Sequence, residues 1–302
     1  MTKALISIFA MPQEIDDLHL TLYNLKRNVA MLPHDIQVDI DLTFCMSREL
    51  TDWDNTKLPQ DYFLKKFYAL TPLWDWSKSP RIHIEFDKNI LGCVSQRRWS
   101  LERVDEYDYT IWLDTDVFFK DTTLLYMDAG FRAIKDAGTP RFILTPQFVK
   151  QWDNTWDSIV HPEYLNHKID YELEADIFTD TLIEYGDVSV KPIDTFKFAG
   201  GWCTLLSKDL LKMIGVPESF GHYGMEDTFI VEASKFLARA NHPMKPTQFV
   251  LSNHLVGETY IHRCNQHMKD VVVSTNRKEE FRSIATQNFT RELQTFAQRM
   301  AL

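Results

Sequence analysis

The sequence predicts an α/β protein with a mostly parallel central sheet flanked by helices. Two observations lead to this class. Strand-like and helix-like segments alternate along the first half of the 302-residue chain, and several strand-like runs are apolar enough to be buried. Hydrophobic residues make up 44% and charged residues 25% of the chain, as in an ordinary globular protein with a substantial core.

The predicted elements of the first half follow from hydrophobic spacing. Alternating or continuous apolar runs predict strands, and apolar residues three and four positions apart predict helices. The predicted strands cover residues 3–10, 38–45, 81–86, 109–113 and 141–145, and the predicted helices cover 13–29 and 94–104. Residues 46–80 contain three prolines and an aromatic cluster without a clear period, which predicts an irregular segment.

The composition of the sequence changes after the fifth predicted strand. Residues 147–196 are rich in Trp, Tyr, His and acidic residues, which indicates an insertion. Residues 197–206 predict a strand, and Ser207 is expected to cap a short helix that ends before Gly215. The expected organisation is a first half at 1–145, a second half of the same domain at 146–275 and an amphipathic C-terminal helix at 276–302.

Composition excludes several classes of protein. Acidic residues outnumber basic ones by 43 to 33, and the net charge of −10 argues against a general nucleic-acid-binding protein. No run approaches the roughly 20 apolar residues that a membrane span needs, so none is expected. The four cysteines lie far apart without a CxxC pair, which predicts free thiols in a reducing compartment and therefore a cytoplasmic protein.

Acidic pairs stand out at one predicted strand end. Asp-x-Asp occurs at residues 39–41, 52–54 and 114–116, about as often as chance gives. The first pair lies inside an alternating strand, where its acids are expected to face solvent, and the second lies in a polar stretch. Among the three pairs, Asp114 and Asp116 alone follow a run apolar enough to be a central strand.

Asp114 and Asp116 are therefore candidate metal ligands. Ligands of open α/β sheets bind at the carboxyl ends of the strands, where two neighbouring carboxylates repel each other unless a cation joins them. Mg²⁺ or Mn²⁺ is the counter-charge that such hard oxygen donors favour, and it would also hold a diphosphate. The alternative is that both acids only cap the following turn.

A second informative segment follows in the C-terminal half. Gly200 and Gly201 would let the backbone approach a ligand closely, and Trp202 offers a flat apolar face to a sugar ring. Glu226 and Asp227 come after a glycine-rich bend and precede a helical run. Carboxylates near a helix N-terminus stay ionised and suit hydrogen bonds to hydroxyl groups or general-base catalysis. Plain helix capping is the alternative here.

Together, these segments resemble the GT-A-fold glycosyltransferases, in particular the family-2-like and β-1,4-galactosyltransferase-like enzymes. The order is similar: a first strand, an Asp-x-Asp strand, a Gly-Gly strand and then Gly-x-Glu-Asp. The segments Phe198–Ile230 and Asn89–Arg98 carry most of the likeness, which spans about residues 3–262. Two positions depart from the pattern: Cys45-Met46-Ser47 replaces an Asp-rich turn linked to base recognition, and Arg98 replaces an Asn.

The resemblance implies a metal-dependent transferase whose donor is a nucleoside diphosphate sugar, with a UDP-sugar favoured. Ala10 and Pro12 would border the nucleotide, and Arg97 would lie near its diphosphate. Asp114, followed by Thr115, would face the ribose or the metal. These positions form the implied donor site.

For the metal, the resemblance implies that Asp114 and Asp116 bind Mn²⁺ or Mg²⁺ together with a histidine that follows the Glu-Asp element. His262 follows a strand-like run and opens a polar loop, so it is the preferred third ligand. His254 is the less favoured candidate. Either histidine could instead be a hydrogen-bonded structural residue.

For the transfer step, the resemblance implies substrate contacts from Gly200, Gly201 and Trp202, acceptor binding by Glu226 and proton removal by Asp227. A dedicated base favours inversion at the anomeric carbon, because direct displacement needs a base on the acceptor. The acceptor is expected to be a glycan or a hydroxymethylated DNA base. The alternatives are a nucleotidyltransferase acting on a sugar phosphate and a carbohydrate-binding protein of the same fold without catalysis.

Overall fold

Strands and helices make up most of the chain that the computed structural model describes. The described residues are 1–10, 14–46, 60–70, 72, 81–86, 92–115, 117–149, 188–194, 196, 201–258 and 278–300. The strands are β1 Thr2–Ala10, β2 Ile36–Met46, β3 Arg81–Phe86, β4 Tyr109–Asp114, β5 Val117–Phe118, β6 Phe142–Val149, β7 Val190–Pro192, β8 Cys203–Ser207 and β9 Thr247–Glu258. The helices are α1 Ile15–Met31, α2 Gln60–Ala69, α3 Cys93–Glu102, α4 Thr123–Asp136, α5 Lys208–Ile214, α6 Glu226–Arg239 and α7 Lys278–Arg299, with short 3₁₀ helices at Val104–Glu106 and Glu218–Phe220.

The described strands join one sheet in the order β3-β2-β1-β4-β8-β6-β9-β5, with β7 beside β9. In its first part, β1 pairs in parallel with both β2 and β4, and β2 pairs in parallel with β3. Strand β8 then enters antiparallel between β4 and β6, whereas β6 and β9 are parallel to each other. The predicted α/β class is confirmed, and the second part of the sheet is mixed.

The predicted strands of the first half lie where hydrophobic spacing placed them, to within a few residues. The prediction was wrong for 46–80, because α2 forms inside it. Phe67 of α2 stacks on Phe44 of β2 with 4.4 Å between the ring centroids, so tertiary packing stabilises a helix in an aromatic-rich segment. Ser207 does precede α5, but its hydroxyl accepts a hydrogen bond from the Phe142 N–H at 3.0 Å instead of capping the helix.

The hydrophobic core lies on both faces of the sheet, and β4 contributes to both. Ile111 and Leu113 belong to a cluster with α1, α2 and α4, whereas Trp112 belongs to a cluster with α3, α5, α6 and α7. Successive side chains of a strand point to opposite faces, so a strand covered on both sides is apolar throughout. This run carries Asp114 to a strand end that helices flank on both faces.

Helix α7 packs across the segment that leads into α6. Phe289 of α7 stacks on Phe220, with 6.1 Å between the ring centroids, and meets Phe229 of α6 edge-on. Ser219 donates its hydroxyl to Glu292 of α7 at 2.7 Å. The C-terminal helix therefore holds the approach to Glu226 in place. Among the described residues, neither α7 nor any other helix combines the length and apolar character needed to cross a membrane.

The expectation that Asp39 and Asp41 face solvent is wrong. Asp41 is 2% exposed and Asp39 is 9% exposed. Asp41 accepts a hydrogen bond from Arg103 Nη1 at 3.0 Å, and Tyr107 donates its hydroxyl to Asp39 at 2.8 Å. The chain that follows α3 covers this face of β2, so the acids of the alternating strand are buried against an arginine.

Replacement of Asp41 by Asn tests this buried contact. Asn keeps the shape of the side chain but removes the charged acceptor of Arg103, so the free energy of unfolding should fall by about 2 kcal/mol. Urea denaturation measures the change. The control is Asp105→Asn, which breaks an exposed contact with Lys212 and should leave the midpoint almost unchanged. Equal small effects of both substitutions would contradict the burial of Asp41.

Candidate active site

The candidate site lies where β1 and β4 end, at one edge of the parallel part of the sheet. Phe9 of β1 is in register with Asp114 of β4, so both strands end at the same edge. The Asp114 N–H donates to the Trp202 carbonyl at 3.3 Å. This bond brings the glycine segment before β8 beside the acidic strand end, although 88 positions separate them in the chain.

The turn after β4 presents a carboxylate on a fixed backbone. The Asp114 side chain is 44% exposed, whereas Thr115 is buried. Thr21 of α1 donates its hydroxyl to the Thr115 carbonyl at 2.6 Å, which anchors the turn to α1. Ala10, the last residue of β1, is completely buried beside this turn's strand. Asp116 lies outside the described residues.

Helix α3 directs Cys93 and Arg97, one helical turn apart, toward this edge. Arg97 is buried, with its guanidinium 4.6 Å from the centre of the Trp112 ring. Its Nη1 donates to Glu226 Oε1, and its Nη2 donates to Asp114 Oδ1 at 3.2 Å. Burial alone would lower the pKa of Arg97, but the neighbouring carboxylates raise it, so the guanidinium stays charged.

Glu226 enters the site through a tight bend at the start of α6. Met225 has φ 72° and Gly224 has φ 90°, and a left-handed conformation is uncommon for a residue such as Met. Glu226 is 2% exposed, and its Oε1 accepts hydrogen bonds from Arg97 and from the Cys93 thiol, the latter at 3.5 Å. Within the described part of the chain, its Oε2 is buried without a hydrogen-bond partner. Such an oxygen is suited to accept a ligand hydroxyl.

Two glycines make the close contacts of this site possible. A Cβ added to Gly201 would lie 1.5 Å from Arg97 Nη2, and one added to Gly92 would lie 1.8 Å from the His222 carbonyl oxygen. The Val94 N–H donates to the same His222 carbonyl at 3.2 Å. Gly201 thus makes room for the guanidinium, and Gly92 lets the start of α3 meet the bend before α6.

Asp227 has the character of a base close to neutral pH. It is half-buried, and its Oδ1 accepts a hydrogen bond from the Thr228 N–H at 2.6 Å. Burial raises the pKa of Asp227 to about 6; the Glu226 charge adds to this rise, and Arg97 opposes it. A carboxylate with this pKa is ionised at pH 7 and is still basic enough to accept a proton.

His254 is held against α4. Its Nε2 lies 2.7 Å from the Thr123 hydroxyl oxygen, and its ring stacks on Tyr126 with 4.4 Å between the ring centroids. Burial, together with the charge of Lys120, lowers the pKa of His254 to about 3, so the ring is neutral. These are the contacts of a hydrogen-bonded structural histidine. The preferred candidate, His262, lies outside the described residues.

Of the candidate metal ligands, Asp114 and His254 lie within the described residues, and His254 has the structural contacts given above. Among the described residues, no three His, Cys, Asp or Glu side chains come together as a metal-binding group. The exposed Asp114 carboxylate is a hard oxygen donor at a strand end, which fits Mg²⁺ or Mn²⁺. The other candidates, Asp116 and His262, are not among the described residues, so their part in a metal site stays a prediction.

The fold brings most of the sequence-predicted residues of the site together. The described ones at or next to this edge are Ala10, Arg97, Asp114, Thr115, Gly201, Trp202, Glu226 and Asp227. The predicted residues Pro12, Asp116, Gly200 and His262 lie outside the described residues. Sequence reasoning missed Cys93 and Trp112. The spacing of Cys93 four positions before Arg97 on a helix was the available signal, since such residues share a face.

The chain has the predicted GT-A fold, as a comparison with solved structures shows. A solved structure of GalNAc-T7 with UDP, GalNAc and Mn²⁺ superposes with a TM-score of 0.53 and 12% sequence identity. The superposition covers 100% of this chain and 54% of that one. At this identity the likeness concerns the fold.

Two further solved structures are less similar. The galactosyltransferase LgtC, solved with donor and acceptor sugar analogues, gives a TM-score of 0.35 and 11% identity over 90% of this chain and 96% of its own. A mycobacterial protein gives a TM-score of 0.40 and 10% sequence identity, and the superposition covers 90% of this chain and 73% of that one. No family model and no curated protein matches the sequence.

The raised pKa of Asp227 predicts a pH-dependent gain in stability when Asp227 is replaced by Asn. The folded state holds the proton more tightly than the unfolded chain, so ionisation costs stability as the pH rises from about 4 to about 6. Asn cannot ionise, so Asp227→Asn should be more stable than the parent at pH 7, by about 2 kcal/mol, and similar at pH 4. Urea unfolding at both pH values measures the difference in the free energy of unfolding between the two proteins. The same difference at pH 4 and pH 7 would contradict the prediction.

Proposed function

We propose that this protein is a metal-dependent glycosyltransferase that moves a sugar from a nucleoside diphosphate sugar to an acceptor hydroxyl. The observation that carries the proposal is the pairing of two carboxylates across one guanidinium. Asp114 is partly exposed at a strand end, and Glu226 is buried with one oxygen that has no partner among the described residues. Asp114 would meet the negatively charged donor through a divalent cation, and Glu226 would accept a hydrogen bond from a hydroxyl.

On the donor side, Asp114 and Asp116 would hold Mn²⁺ or Mg²⁺, with His262 as the further candidate. When bound, the cation would neutralise charge on the departing diphosphate. Arg97 would border the diphosphate beside Asp114, and the end of β1 would border the nucleotide. The GT-A fold shared with GalNAc-T7, which was solved with UDP and Mn²⁺, supports a UDP-sugar as donor.

On the acceptor side, Glu226 would accept a hydrogen bond from an acceptor hydroxyl through Oε2. Asp227 would take the proton from the attacking hydroxyl while the oxygen of that hydroxyl forms a bond to the anomeric carbon. The bond from that carbon to the diphosphate oxygen would break, and the nucleoside diphosphate would leave with the electron pair. Direct displacement of this kind inverts the anomeric centre, and the pKa of Asp227, about 6, suits the base.

The proposed acceptor is a glycan, with Trp202 as a flat surface for its ring. A hydroxymethylated DNA base is the second arm of an acceptor screen, and the net charge of −10 disfavours it. The free thiols of Cys93 and Cys203 support a reducing, cytoplasmic setting.

Substitution of Asp227 by Asn separates catalysis from donor binding. The loss of a general base typically lowers the rate by about 10² to 10⁴, so kcat should fall within that range while the affinity for the donor nucleotide stays nearly intact. Initial-rate kinetics and nucleotide titration measure the two effects. The matched control is Glu232→Gln on the same helix, which contacts Lys235 and should keep the parent rate. Parental turnover by Asp227→Asn would assign Asp227 to helix capping.

Removal of divalent cations tests the donor site. EDTA should abolish turnover, and Mn²⁺ or Mg²⁺ should restore it, because the diphosphate leaves with charge that the cation neutralises. Calorimetric titration with UDP, GDP and CMP in Mn²⁺ should show one clear preference, with UDP expected. Asp116→Asn should lose the metal-dependent binding and keep the fold. Full activity in EDTA would rule out the metal-dependent mechanism.

A further inference from the structure

One guanidinium connects two carboxylates that belong to different elements. Arg97 on α3 donates to Glu226 at the start of α6 and, at 3.2 Å, to Asp114 at the end of β4. The side chains of Arg97 and Glu226 are 7% and 3% exposed, whereas that of Asp114 is 44% exposed. The link therefore runs from the interior of the site to its accessible side.

The space around Arg97 leaves the guanidinium little choice of position. The Trp112 ring lies on one side, with its centre 4.6 Å from the guanidinium carbon. On another side, Gly201 approaches so closely that a Cβ there would overlap Arg97 Nη2. The planar fork of an arginine holds donors on two nitrogens at a fixed spacing, whereas the three donors of a lysine ammonium all lie on one rotatable nitrogen.

Stability alone does not account for this arrangement. Replacing a buried ion pair by apolar residues of similar volume is often neutral or stabilising, because desolvation offsets the attraction. The cluster also leaves Glu226 Oε2 buried and without a partner in the described part of the chain. An arrangement built for stability would satisfy this buried oxygen, so its missing partner points to a role in binding.

We propose that Arg97 is a positioning residue that couples the donor-side Asp114 to the acceptor-side Glu226 through opposite ends of one guanidinium. The roles of the two carboxylates rest on the function proposed above. When residue 226 loses its charge, it holds Nη1 less strongly, so the guanidinium pairs more fully with Asp114 and competes with a divalent cation for that carboxylate. A change at Glu226 on the acceptor side therefore alters the affinity for the donor nucleotide. Coupling of this kind is reciprocal, so donor binding also alters acceptor binding.

Calorimetric titration with UDP in Mn²⁺ tests the coupling in four proteins: the parent, Glu226→Gln, Arg97→Met and the double variant. Glu226→Gln should weaken nucleotide binding about tenfold when Arg97 is present. In the Arg97→Met background, the same substitution should change the affinity by less than about twofold. An equal effect of Glu226→Gln in both backgrounds overturns the proposal.

A thermal unfolding cycle on the same four proteins needs no nucleotide. Arg97→Met leaves the Glu226 charge buried and uncompensated, so Tm should fall. Adding Glu226→Gln removes that charge and should recover part of the lost Tm. A further fall in Tm on adding Glu226→Gln would overturn the link between the two residues.

Two further variants distinguish loss of the Arg97 link from loss of folding. Gly201→Ala displaces the guanidinium but keeps its charge, and it should abolish the effect of Glu226→Gln on UDP affinity as Arg97→Met does. The matched control is Arg103→Lys, which disturbs another arginine held by buried carboxylates and should leave UDP affinity and its dependence on Glu226 unchanged.

The outcomes separate this proposal from the proposed function. A parent protein that binds no nucleotide in Mn²⁺ contradicts the proposed function, and the unfolding cycle then decides on the Arg97 link alone. A parent that binds UDP and transfers sugar, but whose Arg97 variants keep the effect of Glu226→Gln, contradicts the positioning role and leaves the function intact.

Discussion

The candidate site depends on the buried Arg97 guanidinium, which donates to two carboxylates. Without the Arg97 guanidinium, the buried Glu226 carboxylate would have no ion-pair partner among the described residues, and a buried carboxylate without one is costly. With it, Asp114 and Glu226 share one donor group at the same edge of the sheet. Gly201 leaves the space that the guanidinium fills, and Gly92 lets the start of α3 meet the bend that leads into Glu226.

The sheet topology explains why these residues can meet at all. An antiparallel strand, β8, lies directly beside the parallel strand β4, so the chain before β8 runs past the carboxyl end of β4. This places Gly201 and Trp202 against Asp114, and α3 then brings Arg97 over the same edge. Helix α7 supports the arrangement from outside, because it packs on the segment that leads into Glu226. The mixed pairing in the second part of the sheet is therefore a condition of the site.

Particular elements mark the limit of prediction from the sequence. The apolar run before Asp114 predicted a central strand correctly, because a strand buried on both faces needs apolar side chains throughout. Helix α2 was not predicted, since its stability comes from the stacking of Phe67 on Phe44. The burial of Asp41 was missed for the same kind of reason, because Arg103 reaches it from an element 62 positions away.

The sequence by itself determined five strands of the first half, the helices α1 and α3, and the residue types that gather at the site, because these follow from periodicity and local chemistry. It could not determine the partners of Arg97. Glu226 lies 129 positions from Arg97 in the chain, and Cys93 and Trp112 join them only after α3 has packed on the sheet. The requirement for a glycine at position 201 also arises only in the tertiary structure. The space it leaves is filled by a side chain from a distant helix, and no local pattern specifies such a neighbour.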